Sequence, residues 1–176
     1  MTALIITESC FGNTTALAGA IAEALSGAGG MSVESLPVAD APQSVPDGTD
    51  LLILAAPTHD YSLPRPRTRA RAAARGGQAA EPGLREWIAG LDGREDVKVV
   101  TVDTAFKTGF TPSTAAKTAA RLMARAGFSH VRRGATFCVS DYAGPLDDGE
   151  LIRARAWAVT LAAGLRSLPR SRARTA

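Results

Sequence analysis

Short apolar runs alternate with stretches of helical periodicity along the chain. The run at 50–55 is apolar at every position after Asp50, which is typical of a central strand buried on both faces. After the apolar run at 3–7, we expect a helix at about 14–28, with Leu17, Ile21 and Leu25 on one face. This alternation predicts an α/β fold with a parallel sheet and crossover helices. The five predicted strands lie at 3–7, 32–36, 50–55, 97–102 and 135–139.

The remaining helices complete a doubly wound arrangement. We expect a short helix at 84–91, one ending near 126 that Ser113 caps, and a last helix at 150–165. The stretch 57–83 is irregular because it begins with three prolines, although 68–75 favours a helix. Since parallel crossovers are nearly always right-handed, we predict a three-layer, doubly wound sheet of order 2-1-3-4-5. Ligands of such a sheet bind beyond the carboxyl ends of the strands, between the first and third.

Composition limits the class of protein. At 176 residues the chain fits one domain, which we place at 1–166, followed by a basic tail at 167–176 that we expect to be disordered. An apolar content of 45% excludes disorder of the whole chain, and no apolar run approaches the ~20 residues of a membrane span. No secretory signal is visible, so we expect a cytoplasmic protein in which Cys10 and Cys138 are free thiols. Two histidines and no CxxC pair argue against a metal site.

Positive charge is clustered, although the formal net charge is only +3. One cluster of arginines lies at 65–75 and another at 166–174. Such clusters either attract a polyanion such as nucleic acid or lie in solvated loops and tails. We favour the second interpretation because neither cluster is interleaved with aromatic residues for base stacking.

Three loops rich in small polar and aromatic residues meet at the predicted ligand edge, at 8–14, 56–65 and 103–111. The first joins a strand to a helix start, so its backbone N–H groups and the helix dipole favour a phosphate, and no Lys or Arg precedes residue 15. Glu-Ser-Cys-Phe-Gly-Asn-Thr at 8–14 resembles the phosphate loop of the flavodoxin-like family. Ala-Pro-Thr-His-Asp-Tyr-Ser at 56–62 and Asp-Thr-Ala-Phe-Lys-Thr-Gly-Phe at 103–110 resemble the loops on the two flanks of the flavin.

This resemblance implies FMN as the cofactor. The 5′-phosphate would lie against the amides and hydroxyls of the loop at 8–14. Thr58 would reach the phosphate or the ribityl chain. His59, Tyr61 and Phe106 would pack on the isoalloxazine, and Asp103 would lie near the flavin or ribityl edge. The complete set of cofactor-binding candidates is Ser9, Cys10, Phe11, Gly12, Asn13, Thr14, Pro57, Thr58, His59, Tyr61, Asp103, Thr104 and Phe106.

The departures from the family leave the function open. Cys10 and Phe11 stand where flavodoxins commonly have small hydroxyl residues, and this chain is basic whereas electron-carrying flavodoxins are usually acidic. The resemblance implies electron transfer with an unknown redox partner protein, or an FMN-dependent oxidoreductase with a nicotinamide donor. The alternative is a flavodoxin-fold binding or regulatory module without redox activity. We expect neither membrane nor nucleic-acid partners.

Individual residues also have structural interpretations. Ser9, Asn13 and Thr14 are ordinary residues for a helix start, and His59 is either a proton donor near the flavin or a packing residue of its loop. The stretch after Cys10 also resembles the loop of low-molecular-weight tyrosine phosphatases, but Ala16 stands where that chemistry needs an arginine. We therefore interpret Cys10 as a packing residue or incidental thiol.

Overall fold

The computed structural model describes residues 1–28, 30–107 and 113–167. Five parallel strands form one sheet in the hydrogen-bonded order β2-β1-β3-β4-β5, with helices on both faces, so the predicted doubly wound topology is confirmed. The elements in chain order are β1 (Thr2–Thr7), α1 (Asn13–Ser26), β2 (Ser32–Pro37), β3 (Leu51–Pro57), α2 (Pro66–Ala73), α3 (Leu84–Ala89), β4 (Lys98–Phe106), α4 (Ala115–Arg125), β5 (His130–Val139) and α5 (Glu150–Arg166).

Two apolar cores lie on opposite faces of the sheet. On one face, α1 and α5 contribute Leu17, Ile21 and Leu161 to a core with the inward residues of β1 and β3. On the other, α3 and α4 contribute Trp87 and Met123 to the second core. Alternate residues of β1 and β3 point into different cores, which is why these strands are apolar at nearly every position.

Two strands are longer than their apolar runs predict. β4 continues to Phe106 through buried polar residues, and the Thr101 hydroxyl donates to the Ala116 carbonyl at 2.8 Å. β5 begins at His130, five residues before the predicted start, because edge strands tolerate charged residues such as Arg132. Both extensions depend on partners distant in sequence, which apolar periodicity does not reveal.

The irregular stretch after β3 contains α2, which lies against the loop between β1 and α1. Pro66 occupies the first turn, where its missing N–H costs no hydrogen bond. Starting the helix there places Thr68, Arg69 and Ala72 on the buried side and leaves the other arginines of the cluster exposed. Of the predicted tail at 167–176, residues 168–176 lie outside the described residues, and the domain boundary stays a prediction.

Candidate functional site

A cavity of about 340 Å³ opens at the carboxyl ends of β1, β3, β4 and β5. This is the edge of the sheet at which the winding reverses between β1 and β3. Eleven of the thirteen predicted site residues line it, and Gly12 and Asp103 do not. The lining residues are Ser9, Cys10, Phe11, Asn13, Thr14, Pro57, Thr58, His59, Asp60, Tyr61, Arg71, Thr104, Ala105, Phe106, Val139 and Tyr142.

The loop 8–12, called here the first loop, ends in a left-handed residue at the start of α1. Gly12 has φ +84°, and a Cβ built on it meets no atom within 4 Å, so the space beside it is open. Its amide donates to the Ser9 hydroxyl at 3.1 Å. The amides of Asn13, Thr14 and Thr15 begin the helix and donate to no other described residue. This end of a 14-residue helix therefore presents unpaired N–H groups and the positive end of its dipole, beside open space.

Two side chains of the helix start are used within the protein. The Asn13 amide nitrogen donates to the Ala143 carbonyl at 2.9 Å, and its amide group fills the place where a side chain at Gly144 would go. The Thr14 and Thr104 hydroxyls lie 3.0 Å apart in a buried hydrogen bond. These contacts fasten the start of α1 to the loop after β5 and to β4, so the backbone amides remain as the principal anion donors.

After β3 the chain makes a two-residue hairpin beside the cavity. The His59 and Ser62 backbones exchange two hydrogen bonds of 3.0 Å, and both intervening residues, Asp60 and Tyr61, have positive φ. This turn leaves the Tyr61 ring 53% exposed at the mouth. Burial, and then the charge of Arg71, lower the pKa of His59, so His59 faces the cavity as a neutral imidazole at neutral pH.

Thr58 and Asp103 have a structural role at the start of α4. The Asp103 carboxylate is fully buried and accepts hydrogen bonds from the Thr58 hydroxyl at 3.2 Å and the Ala116 amide at 2.8 Å. The Thr58 hydroxyl in turn accepts from the Ala115 amide at 2.9 Å. Asp103 is not among the residues that line the cavity, because its carboxylate binds the start of α4, and its place near a ligand edge stays a prediction. The ring of Phe106, at the end of β4, is 46% exposed at the rim, whereas Phe110 lies outside the described residues.

Sequence reasoning missed five lining residues, of which Tyr142 and Arg71 are the most informative. Tyr142 follows β5 and meets Phe11 edge to face, with ring centroids 5.5 Å apart. The Arg75 guanidinium lies 4.3 Å from the centre of the Tyr142 ring. Arg71 pairs with Asp60 at 2.6 Å. Tyr142 could have been predicted, because it follows the fifth strand and the carboxyl end of that strand lies at the edge of the sheet where ligands bind. The other missed residues are Asp60, Ala105 and Val139.

A buried ionic cluster lies beneath the first loop. Arg69 is 1% exposed, and one guanidinium nitrogen lies 3.8 Å from Glu8 and 3.0 Å from Glu86. Glu8 is fully buried and accepts a hydrogen bond from the Leu84 amide at 2.8 Å. Burial nevertheless raises the pKa of Glu8, and Arg69 opposes that rise. The interpretation of the whole arginine cluster as solvated is therefore wrong for Arg69, which faces a buried carboxylate.

The residues that follow α2 also contact the first loop. The Gln78 amide donates to the Cys10 carbonyl at 2.7 Å. Gly77 lies so close to the Phe11 ring that a Cβ there would stand 2.9 Å from it. The first loop is thus held in place by the protein itself, which leaves its amides fixed before any ligand arrives.

Cys10 lies in the first loop, and its surroundings disfavour the reactive thiolate. Burial and the nearby Glu8 raise its pKa to about 11 from 9.0. In a Cys138→Ser variant, where Cys10 is the only thiol, we expect iodoacetamide at neutral pH to react at least about a hundredfold more slowly than in the urea-unfolded chain, since two pKa units remove that share of thiolate. The rate is followed by mass spectrometry. Equal rates in the folded and unfolded protein would contradict this assignment.

The residues that the structure describes lack two further features. They contain no group of three or more His, Cys, Asp or Glu residues arranged to hold a metal ion. None of the helices in the same ranges is long and apolar enough to cross a membrane.

Solved structures similar to this chain are flavodoxins or contain a region of the same fold. A flavodoxin from the domain Archaea is 16% identical with a TM-score of 0.64, over 94% of this chain and 99% of that one. The Streptococcus pneumonia TIGR4 flavodoxin is 20% identical with a TM-score of 0.61, over 93% and 99%. The flavodiiron protein from Giardia intestinalis is 14% identical with a TM-score of 0.58, and the match covers 94% of this chain but 36% of that protein. No protein-family model and no curated protein matches the sequence. The chain therefore has the flavodoxin-like fold.

Proposed function

We propose that this protein binds FMN in the cavity and takes part in electron transfer or flavin-dependent reduction. The observation that carries the proposal is the start of α1, where Asn13 and Thr14, whose amides are unpaired, line the cavity and the space beside Gly12 is open. An anion of the size of a phosphate fits the open space beside Gly12. The side chain of any other residue at position 12 would fill that space. The likeness to solved flavodoxins supports the same assignment.

The donor set suits a phosphate that is held and not transferred. The first loop offers amides and the Ser9 hydroxyl but no Lys or Arg, and Ala16 supplies no cation. Phosphoryl transfer needs positive charge at the equatorial oxygens and an activated nucleophile, and the Cys10 thiol is protonated at neutral pH. The site therefore favours binding of a phosphate ester over its hydrolysis.

The rest of the cavity suits a flat aromatic ring. Tyr61 and Phe106 stand at the mouth with large exposed fractions, and Phe11 and Tyr142 meet edge to face further along the wall. Such rings bind a planar heterocycle by stacking and keep water from one of its faces. FMN bound there would supply one- or two-electron chemistry, which the protein tunes by packing and hydrogen bonding. His59 would contribute a neutral imidazole on the same wall.

The proposal is tested by comparing FMN with riboflavin. The purified protein is titrated with each, and quenching of flavin fluorescence gives the two dissociation constants. We expect FMN to bind at least about a hundredfold more tightly, because losing two charge-assisted hydrogen bonds to the phosphate costs about 3 kcal/mol. Bound FMN should also be reduced and reoxidised without leaving the protein.

Two outcomes would overturn the proposal. Equal affinity for FMN and riboflavin would mean that the phosphate does not contact the first loop. Absence of flavin binding would favour the flavodoxin-fold binding or regulatory module. Circular dichroism of the same samples shows that a negative result comes from folded protein.

A further inference from the structure

The exposed side of α2 and the residues that flank this helix carry several positive charges beside the cavity. Four arginines point outwards there, and we call them the arginine face: Arg65, Arg67, Arg71 and Arg75. We propose that this face docks the acidic surface of a protein that exchanges electrons with the site. The inference rests on the proposed function and adds the chemical nature of the partner.

The arginine face has few compensating acidic residues. No Asp or Glu occurs between Tyr61 and Ala80 in the sequence. Among the described residues, Arg71 alone of the four has an ion pair, with Asp60. Burial, and then the neighbouring positive charge of Arg65, lower the pKa of Arg85. An acidic partner would relieve this repulsion and gain attraction to several charges at once.

The spacing of these charges fits a large partner better than a small anion. Residues 65 and 75 are separated by ten residues, which correspond to about 15 Å along helical backbone. Two of the guanidinium groups are already engaged, because Asp60 holds Arg71 and Arg75 lies over the Tyr142 ring. A nucleotide phosphate needs converging donors around one point, whereas a protein surface meets charges spread along a ridge.

Other features of the cavity mouth favour a protein over a nucleic acid. The exposed rings of Tyr61 and Phe106 lie next to the arginine face, as an apolar interface centre lies beside a charged rim. The loop after β5, which adds Tyr142 to the cavity, carries exposed Asp141 and Asp148. A uniform polyanion would be repelled from that side. A protein whose acidic residues face only α2 can cover the mouth of the cavity and approach the flavin ring proposed to bind there.

The test uses an acidic plant-type [2Fe–2S] ferredoxin as the probe, immobilised on a biosensor. The FMN-loaded protein and the ligand-free protein are both passed over it at low and at high ionic strength. The test variant is R65E/R67E, which spares every residue lining the cavity. The matched control is R132E/R133E, with the same change of charge on exposed residues near the amino end of β5, away from the carboxyl ends of the strands that form the cavity.

We expect the wild type to bind the ferredoxin at low ionic strength and to lose this binding as salt is added. R65E/R67E should associate at least about tenfold more slowly, the lower end of the usual electrostatic effect on association rates, and R132E/R133E should keep the wild-type rate within about twofold. Equal losses in both variants, or stronger binding to basic cytochrome c than to ferredoxin, would overturn the proposal. Retention of a DNA duplex that only R65E/R67E abolishes, with ferredoxin binding unchanged, would assign the face to nucleic acid instead. Because docking is also measured without flavin, its failure is distinguishable from failure to bind FMN.

Discussion

Replacing Arg69 by methionine should lower the free energy of unfolding by about 3–5 kcal/mol, the usual cost of breaking a buried ion pair by removing one partner. Methionine keeps much of the side-chain volume but leaves the Glu8 carboxylate fully buried without its cation. The Leu84 amide is then the main group opposing the burial of that charge. Urea unfolding followed by circular dichroism measures the difference.

The matched control is Arg67→Met, on the same helix but exposed. That change should alter the free energy of unfolding by less than about 0.5 kcal/mol, as surface substitutions usually do. A loss below about 1 kcal/mol in Arg69→Met would mean that the Glu8–Arg69 contact is not a stabilising pair. Adding Glu8→Gln to Arg69→Met should recover part of the loss, since the amide carries no charge.

The pH dependence of Arg69→Met has a definite sign. The pKa of Glu8 is already raised by burial, and Arg69 opposes that rise, so the variant should raise this pKa further. A carboxyl whose pKa is higher in the folded state stabilises the fold when protonated, and this stability is lost as pH rises through the folded pKa. The stability deficit of Arg69→Met should therefore be smallest near the ordinary carboxyl pKa of about 4.3 and grow towards neutral pH. A deficit that does not change with pH would contradict the assignment to Glu8.

The sequence predicts the sheet well because apolar runs decide which segments are buried. Leu52 and Ile53 are buried towards opposite cores, and no arrangement except a central strand accommodates a run of this kind. The convergence of three loops follows from strand order and from the parallel direction of the strands. Local composition and topology therefore suffice for the fold and for most of the cavity.

The missed features all depend on the phase of a helix or on distant partners. Arg67 and Arg69 are two residues apart in one basic segment, and only the helix start at Pro66 determines that Arg69 is buried. Glu8 gives no sign in the sequence that its counter-charge lies some sixty residues away. In the sequence, Asp103 looks like a polar loop residue. In the structure it is buried, because its carboxylate accepts a hydrogen bond at the start of α4. Such long-range pairing cannot be obtained from one sequence without coordinates.

Replacing Gly12 by aspartate should abolish FMN binding while leaving the fold intact. The new carboxylate would lie where the phosphate is proposed to bind, and two like charges about 4 Å apart repel by about 4 kcal/mol at an effective dielectric constant of 20, or about a thousandfold in affinity. FMN titration followed by fluorescence measures the loss. Gly12→Asn, which has the same shape without the charge, should lose less affinity and so separates repulsion from bulk.

Gly48→Asp provides the matched control. Gly48 has φ +81°, close to the +84° of Gly12, and a Cβ built on it likewise meets no atom within 4 Å. Gly48 precedes β3, at the end of the strands away from the cavity. Both substitutions therefore impose the same backbone cost of about 1–2 kcal/mol, while only Gly12→Asp adds charge beside the start of α1. If Gly48→Asp binds FMN normally and Gly12→Asp does not, the loss arises from the anion position and not from backbone strain. If Gly12→Asp keeps its affinity, the phosphate must bind elsewhere, because no phosphate contacts the unpaired amides of α1 with a carboxylate standing beside them.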